Sequence, residues 1–74
     1  MVRPTRVTNT IKDRRVAVGI TQAQLAEAVG VSRQTINAIE AGKYSPTLEL
    51  AMLVGMTLDT TLDSLFRLGH DEPK

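Results

Sequence analysis

In the stretch Val29–Gly42, VGVSRQTINAIEAG, three long or forked polar side chains crowd one short segment: Arg33, Gln34 and Asn37. A guanidinium offers donors in a planar fork, and each amide offers a donor group beside an acceptor. Behind them the segment presents only Ile36 and Ile39 to a core. A merely solvated surface does not need that combination; a surface that recognises another molecule by hydrogen bonds does. The residues for bond-breaking chemistry are missing. The single histidine, His70, lies near the end of the chain, and no carboxylate pair or nucleophile sits beside a base. With no cysteine and no cluster of metal-ligating side chains, a metal site lacks its ligands. The sequence therefore predicts a binding module, not an enzyme, with no cofactor.

At about 100° per residue, Ile36, Ile39 and Glu40 turn toward the core, while Arg33, Gln34, Asn37, Ala38 and Ala41 turn outward. That outward face is polar in front and small behind. Such a helix can sink into a groove about 12 Å wide, the major groove of duplex DNA, without bulky side chains holding it off. There Gln34 could bond bidentately to an adenine edge, Arg33 could reach guanine or a flanking phosphate, and Asn37 could read a base or a water one turn deeper. Ala38 completes the base-facing set. Phosphates are favoured at helix starts, where free N–H groups and the dipole attract anions. Thr21 and Gln22 sit at such a start. Ser32 is first a cap and second a phosphate ligand, Thr35 flanks the recognition face, and Lys43 and Tyr44 follow the helix. Arg3 and Arg6 could lie along the backbone or in a minor groove, against the reading of a free tail.

Charge agrees with a one-sided polyanion partner. The chain carries a net +1, but residues 1–43 hold seven basic and three acidic residues, a balance of +4, whereas residues 44–74 hold two basic and five acidic ones, a balance of −3.

The elements that must position these groups are legible from their punctuation. Seventy-four residues make one domain, near the lower size for a self-sufficient core. Residues 1–8 (MVRPTRVT) read as a flexible arm and 69–74 (GHDEPK) as a disordered end, leaving a domain over 9–68. Asn9 or Thr10 can cap a first helix with Ile11, Arg15 and Val18 on one face, ending at Gly19. Thr21 and Gln24 form a capping box for a second helix, whose stripe is Leu25, Ala26 and Val29. Ser32 caps a third helix that stops by Gly42. Thr47 caps a fourth to about Leu58, and Thr61 a fifth, LDSLFRL. No strand pair is expected. The fold class is all-α, with five helices.

The second and third helices are joined through Gly30–Val31. A glycine free to take positive φ makes the turn tight, and small Ala26 lets the helices approach closely, which is the spacing of a helix-turn-helix. The run TQAQLAEAVGVSRQTINAIEAGKYSPTLELA, followed by TLDSLF, resembles the lambda-repressor-like, XRE-type (Cro/cI-like) family of helix-turn-helix transcriptional regulators over residues 10–66. The resemblance implies a five-helix DNA-binding domain with its helix-turn-helix in helices 2 and 3. It also implies recognition residues at the start of helix 3, in the major groove, and places Thr21 and Gln22 at backbone-contacting positions. Arg15 and Glu40 occupy positions that often form a buried ion pair in that family. The chain departs from the pattern at Asp59–Thr60, where glycine and an apolar residue are usual, so the turn before the fifth helix is expected to differ.

The fourth helix, TLELAMLVGMTL, is apolar on nearly every face. Leu48, Ala51, Val54, Gly55 and Leu58 are expected in the monomer core. A helix apolar all round is buried all round, so Leu53 and Met56, with Phe66 and Leu68 at the end of the fifth helix, are expected at a homodimer interface; Phe66 also has a reading as a plug of the monomer core. Two recognition helices about 34 Å apart would read a palindromic operator. The expected partners are thus double-stranded DNA and a second copy, acting as a regulator, in all expectation a repressor. No apolar run approaches the roughly 18 residues of a membrane span and no signal-peptide core is present, so the default is a soluble cytoplasmic protein without membrane contact. No sensor domain is apparent and no small-molecule ligand is expected. Two rival readings share these residues: an antitoxin-type autoregulator of a toxin–antitoxin pair, and a helical module that binds protein through the fourth helix.

Overall fold

The computed structural model describes residues 5–69. Five helices follow in order: α1 (Ile11–Val18), α2 (Gln22–Val29), α3 (Arg33–Glu40), α4 (Leu48–Thr57) and α5 (Leu62–Leu65). Two short strands, β1 (Val7–Asn9) and β2 (Phe66–Leu68), bracket them.

Each helix begins where a side chain can accept from an exposed backbone N–H. Thr21 and Gln24 form the reciprocal capping box: the Thr21 Oγ1 accepts from the Gln24 N–H at 3.0 Å and the Gln24 Oε1 accepts from the Thr21 N–H at 2.8 Å. Ser32, Thr47 and Thr61 accept from Thr35, Leu50 and Ser64 at 3.1, 3.1 and 3.3 Å. At α1 the work falls to Asn9, whose Oδ1 accepts from the Ile11 N–H at 3.1 Å, while Thr10 makes no capping bond. Each such bond is worth about 1 kcal/mol.

The ends are as regular as the starts. Gly30 closes α2 at φ 83°, a left-handed conformation that lets the chain reverse directly into α3. The Gly30 and Val31 N–H groups donate to the Ala26 carbonyl at 2.9 and 3.0 Å. The end of α4 uses the same geometry without glycine: Asp59 stands at φ 56°, and the Thr60 N–H donates to the Gly55 carbonyl at 2.9 Å. Arg14 reaches across from α1 and donates to the Leu58 and Asp59 carbonyls, both at 3.0 Å.

The core is built from Ile11, Leu25, Ala26, Ile36, Ile39, Val54, Leu58 and Leu65, with Phe66 packed against it. Helix α2 lies at its centre and packs on both α3 and α4.

Five expectations need correction. Val7 and Thr8 belong to a strand, not to an irregular arm. The fifth helix stops at Leu65 instead of running to Leu68. β1 and β2 pair antiparallel, with Val7 opposite Leu68, Thr8 opposite Arg67 and Asn9 opposite Phe66. The cause is the meeting of two segments whose backbone groups satisfy each other: the Thr10 N–H donates to the Leu65 carbonyl at 2.9 Å and the Gly69 N–H to the Arg6 carbonyl at 2.6 Å. Leu48 is 70% exposed and does not join the monomer core. The inward stripe of α4 centres on Ala51, Val54 and Leu58, and Leu48 lies at its edge in the first turn. Val18, at the end of α1, is likewise exposed. Arg3 and the expected tail from His70 onward lie outside the described residues. No described helix is long and apolar enough to cross a membrane.

Candidate nucleic-acid interface

Helix α3 is fixed from behind before it is offered to anything in front. Ile36 and Ile39 are buried in the core. Its C-terminal turn is tied to β1, because the Asn9 Nδ2 donates to the Ile39 carbonyl at 2.8 Å. Its last residue, Glu40, meets Arg15 of α1 in a two-bond fork: Arg15 Nε donates to Glu40 Oε2 at 2.8 Å and Nη2 to Oε1 at 3.2 Å. Both side chains are nearly excluded from solvent, at 11% and 6% exposure. The remaining Arg15 Nη1 donates to the Ile20 carbonyl at 3.1 Å, just before α2. One guanidinium therefore joins α1, the α1–α2 turn and α3. Planar, doubly bonded pairs of this kind fix orientation as well as distance.

Arg33, Gln34 and Asn37 stand exposed on the opposite face. Arg33 and Gln34 have no hydrogen-bond partner among the described residues. Small residues continue that face: Ala38 is half-buried and Ala41 exposed. A firmly anchored helix thus presents free hydrogen-bonding groups on a surface low enough to enter a groove.

Comparison with known proteins bears on the family and the fold. The helix-turn-helix model HTH_3 matches residues 11–65, most of the chain. The chain belongs to the helix-turn-helix family. This family, of the XRE and cI-like kind, comprises DNA-binding transcriptional regulators and not enzymes. An uncharacterized HTH-type transcriptional regulator of Methanothermobacter thermautotrophicus is 45% identical over 65 residues, covering 86% of this chain and 94% of the relative. Repressor protein C of Rhizobium phage 16-3 is 35% identical over 72 residues, covering 93% of this chain but 27% of that larger protein. Among solved structures, the N-terminal DNA-binding domain of SinR from Bacillus subtilis superposes with a TM-score of 0.67 at 27% identity, over 73% of this chain and 80% of that one.

Within this helix-turn-helix the other expected site residues fall in distinct places. Thr21 is exposed at the start of α2, its hydroxyl engaged in the capping box. Ser32 and Thr35 share one hydrogen bond between their hydroxyls at 3.0 Å at the start of α3. Lys43 and Tyr44 are exposed just past α3, held there by the Lys43 N–H donating to the Ala38 carbonyl at 3.0 Å. Arg6 is exposed beside β1. Gln22 differs from the others. Its amide nitrogen is already occupied, donating to Glu40 Oε1 at 3.0 Å and to Asn37 Oδ1 at 3.2 Å. Its backbone N–H, in the first turn of α2, takes part in neither bond.

On α4, Leu53 is 37% and Met56 77% exposed, and on β2 Leu68 is 67% exposed and Phe66 half-buried. Sequence reasoning missed the anchoring role of Asn9, the carbonyl contacts of Arg14 and the exposure of Met52. It also missed Lys12, which borders a pocket of about 250 Å3 with Gln22, Asn37, Glu40 and Ala41. Lys12 follows a buried isoleucine in α1, and that adjacency is the signal that places it outward.

Proposed function

We propose that the chain is a sequence-specific repressor that inserts α3 into the major groove of duplex DNA as a homodimer on a palindromic site, in the cytoplasm. The observation that carries this reading is the pairing of a rigidly held back with a free front: Ile36, Ile39 and Glu40 are engaged, while Arg33 and Gln34 are exposed and unpartnered among the described residues. In this reading Gln34 bonds an adenine edge, Arg33 a guanine or phosphate, and Asn37 with Ala38 the neighbouring step. Thr21, the Gln22 backbone, Ser32, Thr35, Lys43 and Tyr44 hold the two phosphate walls. Repression rather than activation draws on the relative named repressor protein C.

The dimer is proposed from α4. Leu48, Met52 and Met56 are 70%, 51% and 77% exposed and recur every fourth residue, so they form one stripe. Leu48 and Phe66 also border an open apolar groove of about 310 Å3. A contiguous apolar surface on so small a domain marks a place where another surface belongs. The proposed interface also takes in exposed Leu68 and Leu53, the latter bordering a second groove with Val29 and Val31.

Fluorescence anisotropy on a labelled duplex carrying the region upstream of the chain's own gene tests the DNA reading. Binding should weaken at least about 100-fold between roughly 50 and 200 mM salt, because phosphate contacts release counterions. Gln34→Ala should lose discrimination against unrelated DNA. Salt-independent binding, or a Gln34→Ala protein that selects as the parent does, sinks the reading. Sedimentation at micromolar concentration tests the dimer, and a monomer there removes it.

A further inference from the structure

The two strands of the β1–β2 ribbon do not guard their outer edges equally. Backbone bonds in an antiparallel pair fall at alternate residues. The Leu65 carbonyl accepts from the Thr10 N–H at 2.9 Å, and the Gly69 N–H donates to the Arg6 carbonyl at 2.6 Å. Leu65, Arg67 and Gly69 therefore turn toward β1, and Phe66 and Leu68 direct their backbone groups away from it. The Phe66 N–H is already used, donating to the Leu62 carbonyl. The Leu68 N–H and carbonyl have no partner among the described residues, and the side chain stands exposed. β1 blunts its own edge instead, because the Val7 N–H donates to the Thr5 Oγ1 at 3.1 Å. An unprotected strand edge is a template for another strand.

We propose that β2 joins two copies of the chain, pairing antiparallel with the partner's β2 across a two-fold axis at Leu68, so that two ribbons become one four-stranded sheet. This rests on the homodimer reading above and adds the backbone contact that seals it. The chemistry of the edge favours a second copy as its occupant. Leu68 carries both a free donor and a free acceptor, so the same residue of the partner satisfies it, as a two-fold contact requires. Val7, paired with Leu68, and Phe66, two residues before it, lie on the same face of the ribbon as Leu68. Both line the apolar groove of about 310 Å3 that Leu48 borders. The open edge is therefore continuous with the surface proposed for the dimer. Charge selects the register. An axis at Arg67 would set two guanidinium groups directly opposite each other, which is destabilising. An axis at Leu68 sets Arg67 opposite the partner's Gly69 and leucine against leucine.

Disulfide trapping in the full chain tests the pairing, because the sequence has no cysteine and Leu68→Cys supplies a single thiol. In a hydrogen-bonded antiparallel pair the two Cα atoms lie about 5.5 Å apart, within the roughly 4.4–6.8 Å that a disulfide spans. Leu68→Cys should therefore crosslink under mild oxidation at micromolar concentration, read as a doubled mass on a non-reducing gel. Arg67→Cys should crosslink far less, since its two copies would stand on a diagonal of about 7–8 Å. Leu68→Pro removes the outward N–H without touching a bond to β1, a place where an edge strand tolerates proline. With two intermolecular bonds lost, the dimer dissociation constant in sedimentation equilibrium should rise at least about 10-fold, while Tm of the dilute monomer is unchanged. A dimer in which Leu68→Cys stays uncrosslinked, faster crosslinking by Arg67→Cys, or a Leu68→Pro protein that dimerises as the parent does overturns the strand pairing and leaves the dimer to α4. A parent that sediments as a monomer overturns both. The trapping variants leave the backbone intact, so they decide the question even if Leu68→Pro fails to fold.

Discussion

Helices α3 and α4 are near neighbours in sequence and similar in length, and each covers the core with one face. They differ in what they leave outside. On α3 the outward residues are Arg33, Gln34 and Asn37; on α4 they are Leu48, Met52 and Met56. The inner faces do the same job by different means. Ile36 and Ile39 are supplemented on α3 by the charged Glu40, whereas α4 uses no charged residue there, packing Leu50, Ala51, Val54, Gly55 and the adjoining Leu58. In a domain this small every outward residue competes with solubility and stability, so a departure from bland surface composition marks a use. Polar forks on one helix and an apolar stripe on the other underlie the two different uses proposed, one for a polyanion and one for a second apolar surface.

The inner faces should break with the largest effects and should break differently. Glu40→Ala strands the Arg15 guanidinium in a nearly closed site and removes the acceptor for Gln22. The expected loss is about 3–5 kcal/mol, a large share of the roughly 5–15 kcal/mol available to a domain. In thermal denaturation Tm should fall by at least about 12 °C. Leu58→Ala on the α4 side should cost roughly 2–5 kcal/mol by leaving a cavity. The contrast is in rescue: pairing Glu40→Ala with Arg15→Met should recover part of the loss, because replacing both charges by apolar groups removes the stranded charge. A double variant no more stable than the single one would mean that the charge was not what made Glu40 expensive to lose.

The outer faces should separate function from stability. Arg33→Ala and Gln34→Ala should each cost about 1–3 kcal/mol in binding to the selected site while leaving Tm within a few degrees, since neither side chain has a partner among the described residues. Met52→Ser with Met56→Ser should leave the folded monomer intact and shift sedimentation from dimer to monomer, weakening DNA binding because two half-sites no longer act together. If the methionine pair instead lowers Tm at all concentrations, the stripe belongs to the monomer and the contrast between the helices is lost.

Local chemistry made much of this fold legible. The caps at Thr21, Ser32, Thr47 and Thr61 are contained within four residues each, and the face of α3 follows from its period. Features set by distant neighbours were hidden. The β1–β2 pair joins residues 59 positions apart through three-residue strands, too short to show alternation. Arg14 finds its carbonyl at Leu58, 44 positions away. Leu48 looked internal because its type is apolar, and its exposure depends on which helix covers the first turn of α4. For the candidate site the outward set was readable, but the orientation of the Gln22 amide was not. A glutamine at a helix start can face solvent or protein, and only the carboxylate 18 positions later decides between them.

The smallest effect concerns how the two helices end. After α3 the left-handed residue is Gly42 at φ 77°, and after α4 it is Asp59 at φ 56°. The hydrogen bonds match: the Lys43 N–H donates to the Ala38 carbonyl at 3.0 Å, and the Thr60 N–H to the Gly55 carbonyl at 2.9 Å. The unusual Asp59 therefore leaves the turn geometry unchanged and carries a steric cost that glycine does not, moderated because aspartate tolerates this region better than most residues. Asp59→Gly should stabilise the domain by about 0.5–1 kcal/mol, a rise in Tm of roughly 2–8 °C. The gain is modest because glycine also loses more freedom on folding. The Arg14 bond survives the change, since it is made to the Asp59 backbone carbonyl and not to the side chain. Gly42→Asp should move stability the other way by a similar amount. A fall in Tm for Asp59→Gly would mean that the aspartate side chain contributes more than its strain removes, and that the two helix ends are alike in geometry but not in energy.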